Sequence, residues 1–186
     1  MLKIPNVEVR MAYRKEILSH IVPSQGETLL RDMLRAMMAG DTKEFSEHLA
    51  DILQDFVSYH DTAQPESFHQ GVNDSHDAEA SVRCLYHGMM LGFSVLLDGK
   101  YRVESNRESG YGRFDLAFFP LKPVTPGVIL ELKAAKSEEE LEEKAQEALG
   151  QIAEKEYTHE LSRQGVKEIW SYGIAFQGKK VCMAGM

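Results

Sequence analysis

Apolar residues recur three and four positions apart along two consecutive stretches near the start of the chain, which is the spacing of amphipathic helices. The first stretch is Thr28–Ala39, and the second begins after Asp41, a residue type that can cap a helix, with Glu44 at the capping-box position. The two stretches predict a helical hairpin. Residues 1–22 contain turn signals and only weak helical character from Met11–Ile21.

Helical and strand patterns alternate in the rest of the chain. The predicted elements are, in chain order, the helix Asp77–Leu97, the strands Tyr101–Asn106, Arg113–Phe119 and Gly127–Ala134, a helix from its cap Ser137 to Tyr157, and the strands Glu168–Phe176 and Lys180–Met183. This order of helices and strands predicts an α/β fold. Residues 1–60 are expected to form an N-terminal helical segment, 61–76 a polar linker and 77–186 a single domain.

The composition is that of a folded protein. Hydrophobic residues make up 43% of the 186 positions and charged residues 27%, which excludes a disordered or fibrous chain. No apolar run is long enough to span a membrane and the N-terminus lacks a signal-peptide pattern, so a cytoplasmic protein without a membrane partner is expected. The net charge of −8 argues against simple coating of nucleic acid, but it leaves room for a local basic groove or a metal ion.

Charged residues interrupt two of the predicted apolar strands. Glu131 and Lys133 share one face of a strand that is apolar enough to be covered on both sides, and Asp115 interrupts the strand before it. If the strands are neighbours, Asp115 can meet Glu131, and two converging carboxylates favour a divalent cation such as Mg²⁺ or Mn²⁺. A nearby lysine suits hydrolysis, although a structural ion pair between Glu131 and Lys133, or a salt bridge to a neighbouring strand, explains the same pattern without chemistry.

Two segments together resemble a known family. The run SNRESGYGRFD from Ser105 to Asp115 and the run ILELK from Ile129 to Lys133 are similar to the PD-(D/E)XK nuclease superfamily, in particular to a bacterial branch found C-terminal to an AAA-ATPase-like domain. The resemblance covers about residues 77–186 and implies a restriction-endonuclease-like αβββαβ core, a mixed central sheet flanked by helices. Residues 4–10 resemble the tail of the ATPase-like domain and 57–61 its connecting region, while no Walker A motif is present.

The resemblance also implies a set of site residues. Asp115 and Glu131 would hold Mg²⁺ or Mn²⁺ with the backbone carbonyl of Leu132, and Lys133 would be the catalytic lysine. A further acid comes from either Glu79 or Glu108, of which Glu108 is favoured.

The predicted helix from Ser137 to Tyr157 and the turn before Asp115 add three candidates. Gln151 resembles a glutamine that related nucleases place over the metal, and its alternative is a boundary glutamine hydrogen-bonded to backbone. Tyr157 resembles the aromatic residue that follows it, but the spacing departs from the QxxxY form of the RecB-like branch. Arg113 is a candidate phosphate contact, and its alternative is an ion pair with Glu108 or Asp115.

Two functions follow from these residues. The first is a metal-dependent nuclease that hydrolyses nucleic acid, with DNA favoured over RNA as the partner. The second is a nuclease-like fold of little activity that binds or regulates an ATPase-like partner. A zinc site at Cys84 and His87 lacks a second pair of ligands at suitable spacing.

Overall fold

The computed structural model describes residues 26–61, 75–106, 108–109, 112–122 and 125–186, with backbone alone at 55–61, 75–82 and 108–109. The helices are α1 (Gly26–Ala39), α2 (Thr42–Asp61), α3 (Ser75–Phe93), α4 (Leu141–Glu154) and α5 (Thr158–Arg163), and a 3-10 turn at Ser94–Leu97 extends α3. The strands are β1 (Tyr101–Ser105), β2 (Glu108–Ser109), β3 (Gly112–Arg113), β4 (Leu116–Pro120), β5 (Gly127–Ala134), β6 (Ile169–Gln177) and β7 (Lys180–Gly185).

Five strands form one mixed sheet in the order β1-β4-β5-β6-β7. The strands β1, β4 and β5 are antiparallel neighbours, β5 and β6 are parallel, and β7 pairs antiparallel with β6. The crossover that makes β5 and β6 parallel contains α4 and α5. This arrangement confirms the predicted α/β fold and its restriction-endonuclease-like core.

Helices cover both faces of the sheet, so β5 is buried along almost its whole length. Leu130 and Leu132 of β5 pack into the larger core with α1, α2 and α3, whereas Ile129 packs on the opposite face with α4 and α5. Alternation along β5 therefore directs Glu131 and Lys133 towards α4. The predicted shared face of these two residues is confirmed.

The N-terminal hairpin packs directly on the sheet. Asp41 Oδ1 accepts a hydrogen bond from the Glu44 amide at 2.9 Å and caps α2 as predicted. Tyr172 of β6 donates its hydroxyl to the Met37 carbonyl oxygen at 2.8 Å, and its ring meets Phe45 edge to face at 5.1 Å. The hairpin and the sheet thus share one hydrophobic core, while the division into a helical segment, a linker and a domain stays a prediction.

The helix α4 differs at both ends from the predicted helix Ser137–Tyr157. It begins at Leu141, where Ser137 does not cap it, and it ends at Glu154. Three residues of turn then lead to α5, which the sequence pattern did not predict. Glu156 in this turn has φ of 53°, a conformation that stops the helix before Tyr157.

The segment around Gly112 also differs from the predicted strand that begins at Arg113. Gly112 and Arg113 form β3, which pairs with β2 in a separate two-stranded ribbon, and the chain bends at Asp115 before β4 begins. This bend explains how a charged residue fits into an apolar run. The predicted helix Met11–Ile21 and the segment 4–10 lie outside the described residues, as does most of the predicted linker.

None of the helices in the described ranges combines the length and the apolar composition that a membrane span requires.

Candidate active site

Asp115 lies where the pairing of β4 with β5 stops. The last paired residues are Leu116 and Leu130. Beyond this pair, β5 continues without a hydrogen bond to the β4 backbone, and the side chain of Asp115 lies beside it instead. Its Oδ2 accepts a hydrogen bond from the Leu132 amide at 2.9 Å. Asp115 is buried, and its other carboxylate oxygen, Oδ1, faces α3. The bend therefore places the carboxylate beside the part of β5 that carries Glu131.

Glu131 is the most deeply buried charged residue in the described part of the chain, with 1% of its surface exposed. Its Oε1 accepts a hydrogen bond from the Gln151 side-chain amide at 2.8 Å. Its Oε2 is buried and has no hydrogen-bond partner among the described residues. A buried carboxylate oxygen without a partner is costly, because it has lost its water and gained nothing in exchange.

Burial raises the pKa of Glu131 from 4.5 to about 8, and the negative charge of Asp115 adds to the effect. The positive charges of Lys133 and Arg83 and the proximity of the Asp115 backbone amide oppose the rise without cancelling it. Glu131 is therefore largely protonated at neutral pH in the absence of a further positive charge.

Lys133 follows Glu131 on the same face of β5 and is held by two residues of α4. Its Nζ donates a hydrogen bond to Gln151 Oε1 at 2.7 Å and lies 3.4 Å from Glu147 Oε1. The same Gln151 donates through Nε2 to Glu131, so one amide fixes both charged groups. The structure brings together the predicted residues Asp115, Glu131, Lys133 and Gln151.

A glycine in the neighbouring strand allows α4 to approach this closely. Gly173 of β6 lies beside Glu131 in the sheet. A Cβ at Gly173 would collide with the backbone of α4, at the Ala145 carbonyl oxygen and the Leu149 amide. The absence of a side chain at Gly173 thus places Gln151 within hydrogen-bond distance of β5.

Tyr157 completes the α4 side of the site. Its hydroxyl lies 3.2 Å from Gln151 Nε2, and burial raises its pKa. A Cβ on Gly112 would come within 2.8 Å of that hydroxyl, so the glycine of the ribbon lets the chain pass close to it. Gln151 and Tyr157 therefore meet although their spacing departs from the family pattern, because the turn after α4 brings Tyr157 back to the sheet.

Two residues of α3 face Oδ1 of Asp115, the carboxylate oxygen that does not bind the Leu132 amide. Arg83 NH2 and His87 Nδ1 each lie 3.9 Å from Asp115 Oδ1. His87 Nε2 is hydrogen-bonded to Ser105 Oγ at 2.7 Å, and the His87 side chain is 12% exposed. The sequence interpretation did not single out Arg83, although its spacing of four from His87 on a predicted helix was a usable signal.

The other predicted residues lie around this group or outside the described side chains. Arg113 is exposed, and Glu108 pairs with it across the β2–β3 ribbon, although the Glu108 and Glu79 side chains are not described. Cys84 is exposed on α3. The described residues contain no group of three or more His, Cys, Asp or Glu side chains placed to hold a metal.

The fold and the site define the class of protein. A mixed sheet with helices on both faces, an aspartate immediately before one central strand, and a glutamate and a lysine on the neighbouring strand form the arrangement of restriction-endonuclease-like proteins. Residues 84–185 match the family model of the PD-(D/E)XK nuclease superfamily, which is more than half of the chain. The chain belongs to this superfamily. No curated protein matches the sequence.

Proposed function

We propose that the protein is a divalent-metal-dependent nuclease, with DNA as the favoured substrate. Superfamily membership supports a nucleic-acid substrate. The observation that carries the proposal is the buried Oε2 of Glu131, which has no hydrogen-bond partner in the part of the chain that the structure describes. An isolated, desolvated carboxylate oxygen next to a second carboxylate is a poor arrangement in a structural core. It is a good arrangement for a hard cation that prefers oxygen ligands.

The residues present fit Mg²⁺ or Mn²⁺. Asp115 and Glu131 would hold the ion with the Leu132 carbonyl, and Glu108 is the proposed further acid. The pKa of Glu131 at about 8 fits the same view, because a bound cation would supply the positive charge that keeps this carboxylate ionised. When bound, the ion polarises the phosphate and makes water a stronger nucleophile.

We assign to Lys133 the role of orienting the attacking water. An ammonium group has three N–H donors, and in this site Gln151 and Glu147 engage two of them. The third donor can hold a water or a phosphate oxygen. In the reaction the water oxygen would form a bond to phosphorus and lose a proton to solvent, while the bond from phosphorus to the leaving oxygen breaks and that oxygen takes up a proton from solvent. Lys133 would offset the negative charge that develops.

Cleavage of nucleic acid tests the proposal. Purified protein is incubated with Mg²⁺ or Mn²⁺ and with plasmid, single-stranded DNA or RNA, and the products are resolved on gels. Lys133→Ala should lower the cleavage rate by roughly 100-fold or more, because it removes the charge that faces the developing oxyanion.

The matched control is Lys136→Ala, which removes an exposed lysine that follows the same strand. It should cleave like wild type, and both variants should unfold at the wild-type temperature. Wild-type cleavage in Lys133→Ala would overturn the assignment of the lysine, and absence of cleavage by the wild type would count against the nuclease.

A specific observation favours a second candidate. The net charge of −8 and the acidic first turn of α4, with Glu142 and Glu143, would repel DNA, as suits a domain that has kept the fold without the activity. The protein would then act as a binding or regulatory module for an ATPase-like partner. Calorimetric titration separates the two functions, since a module needs no Mn²⁺ affinity and an active site should lose that affinity in Asp115→Ala.

A further inference from the structure

A positive side chain stands at the edge of the carboxylate pair without a close partner among the described residues. Arg83 lies on α3, and its guanidinium approaches Asp115 Oδ1 to 3.9 Å, which is too long for a hydrogen bond. The Arg83 side chain is 48% exposed. Its N–H donors therefore face solvent immediately beside the site.

The other basic side chains of the site are more tightly held. Lys133 is fixed by Gln151 and Glu147, and the His87 ring is hydrogen-bonded to Ser105. Of these three basic side chains, Arg83 is the one that combines solvent exposure with N–H donors that make no hydrogen bond to the described residues. A guanidinium group with free donors can bind phosphate through two parallel hydrogen bonds.

The charge around the site favours such a contact. The protein carries a net charge of −8, and the buried carboxylate of Asp115 repels a phosphodiester. Resting on the nuclease function proposed above, we propose that Arg83 binds a phosphate oxygen of the nucleic-acid backbone at the α3 side of the site. A divalent cation held by Asp115 would weaken the attraction between this carboxylate and the guanidinium, which would leave Arg83 available to the substrate.

The salt dependence of DNA binding tests this contact. Binding of a fluorescein-labelled duplex is measured by anisotropy in Mn²⁺ over a series of KCl concentrations, in a Lys133→Ala background that prevents cleavage. Arg83→Gln should weaken binding roughly tenfold and lower the slope of log affinity against log salt by about 1, the value for one lost phosphate contact.

Two controls separate a phosphate contact from a structural one. Arg35→Gln removes an arginine of α1 that is 72% exposed and pairs with Asp32, and it should leave the salt slope unchanged. The thermal unfolding midpoint and the calorimetric Mn²⁺ affinity of Arg83→Gln should be no lower than those of its background, because Arg83 competes with the cation for Asp115.

Each outcome decides between the ideas. An unchanged salt slope in Arg83→Gln overturns the Arg83 contact and leaves the nuclease function standing if the wild type cleaves DNA. A loss of stability or of Mn²⁺ affinity in Arg83→Gln with the salt slope intact assigns Arg83 to the fold and also overturns the contact. No binding by the background protein and no cleavage by the wild type overturn the nuclease function and the contact together.

Discussion

Replacement of Glu131 by glutamine should change the pH dependence of stability in a direction that the site geometry dictates. The pKa of this carboxyl is about 8 in the folded protein against 4.5 without the fold, and burial is the main cause. Folding therefore favours the protonated acid. The contribution of Glu131 to stability is fully present below pH 4.5 and is lost as the pH rises towards 8.

The size of the effect follows from the same two pKa values. Between pH 5 and pH 8 the wild type should lose on the order of 3 kcal/mol of unfolding free energy relative to Glu131→Gln. Glutamine is neutral at both pH values and has nearly the shape of the protonated acid, so the variant lacks this loss. At pH 8 and without metal, Glu131→Gln should be the more stable protein.

Urea unfolding in EDTA at pH 5, 6, 7 and 8 measures the difference. Trp170, the single tryptophan of the chain, lies half-buried in β6 and reports unfolding by fluorescence. The matched control is Glu142→Gln, an exposed glutamate of α4, whose difference from wild type should stay flat over this range. A flat difference for Glu131→Gln, or a wild type that gains stability as the pH rises, would refute the reasoning.

Three further substitutions test how the sequence builds the frame of the site. Gly173→Ala should destabilise the protein by roughly 1–3 kcal/mol in urea unfolding, because its methyl group would collide with the α4 backbone, and a wild-type midpoint would contradict that packing. Gly150→Ala, at an exposed position of α4 with no atom near the added methyl, should stabilise by roughly 0.4–1 kcal/mol; a loss of stability would show that this position is crowded. Asp41→Ala should cost about 1 kcal/mol through loss of the α2 cap, whereas Asp41→Asn should retain most of it, and equal losses in the two variants would argue against the cap.

Much of the fold could be predicted because its signals are local. The bounds Gly127–Ala134 were predicted correctly, since an apolar run between a proline-rich loop and a polar turn marks a buried strand. The start of α4 was missed because the capping signal at Ser137 is followed by acidic residues that tolerate both turn and helix. The short α5 was missed because Glu156, which ends α4 with a positive φ, is not a residue type that signals a helix stop. Tertiary contact with the sheet decides where the first helical turn forms.

Part of the site could also be predicted from local signals in the sequence. Asp115, Glu131 and Lys133 stand out as charges in apolar strands, which a sequence shows directly. Arg83 carries no such contrast, because an arginine on a half-polar helix is unremarkable until α3 packs beside Asp115. The bridge from Gln151 to both Glu131 and Lys133 likewise depends on the close approach of α4 over Gly173.

Calorimetric titration of the metal-free protein with Mn²⁺ at pH 7, in two buffers of different ionisation enthalpy, tests most directly whether the carboxylate pair is a metal site. Because the pKa of Glu131 is about 8, binding should release close to one proton, about 0.9 at pH 7. Glu131→Gln should bind Mn²⁺ much more weakly and release almost no proton. Failure of the wild type to bind Mn²⁺, or unchanged affinity and proton release in Glu131→Gln, would contradict a metal site at Asp115 and Glu131.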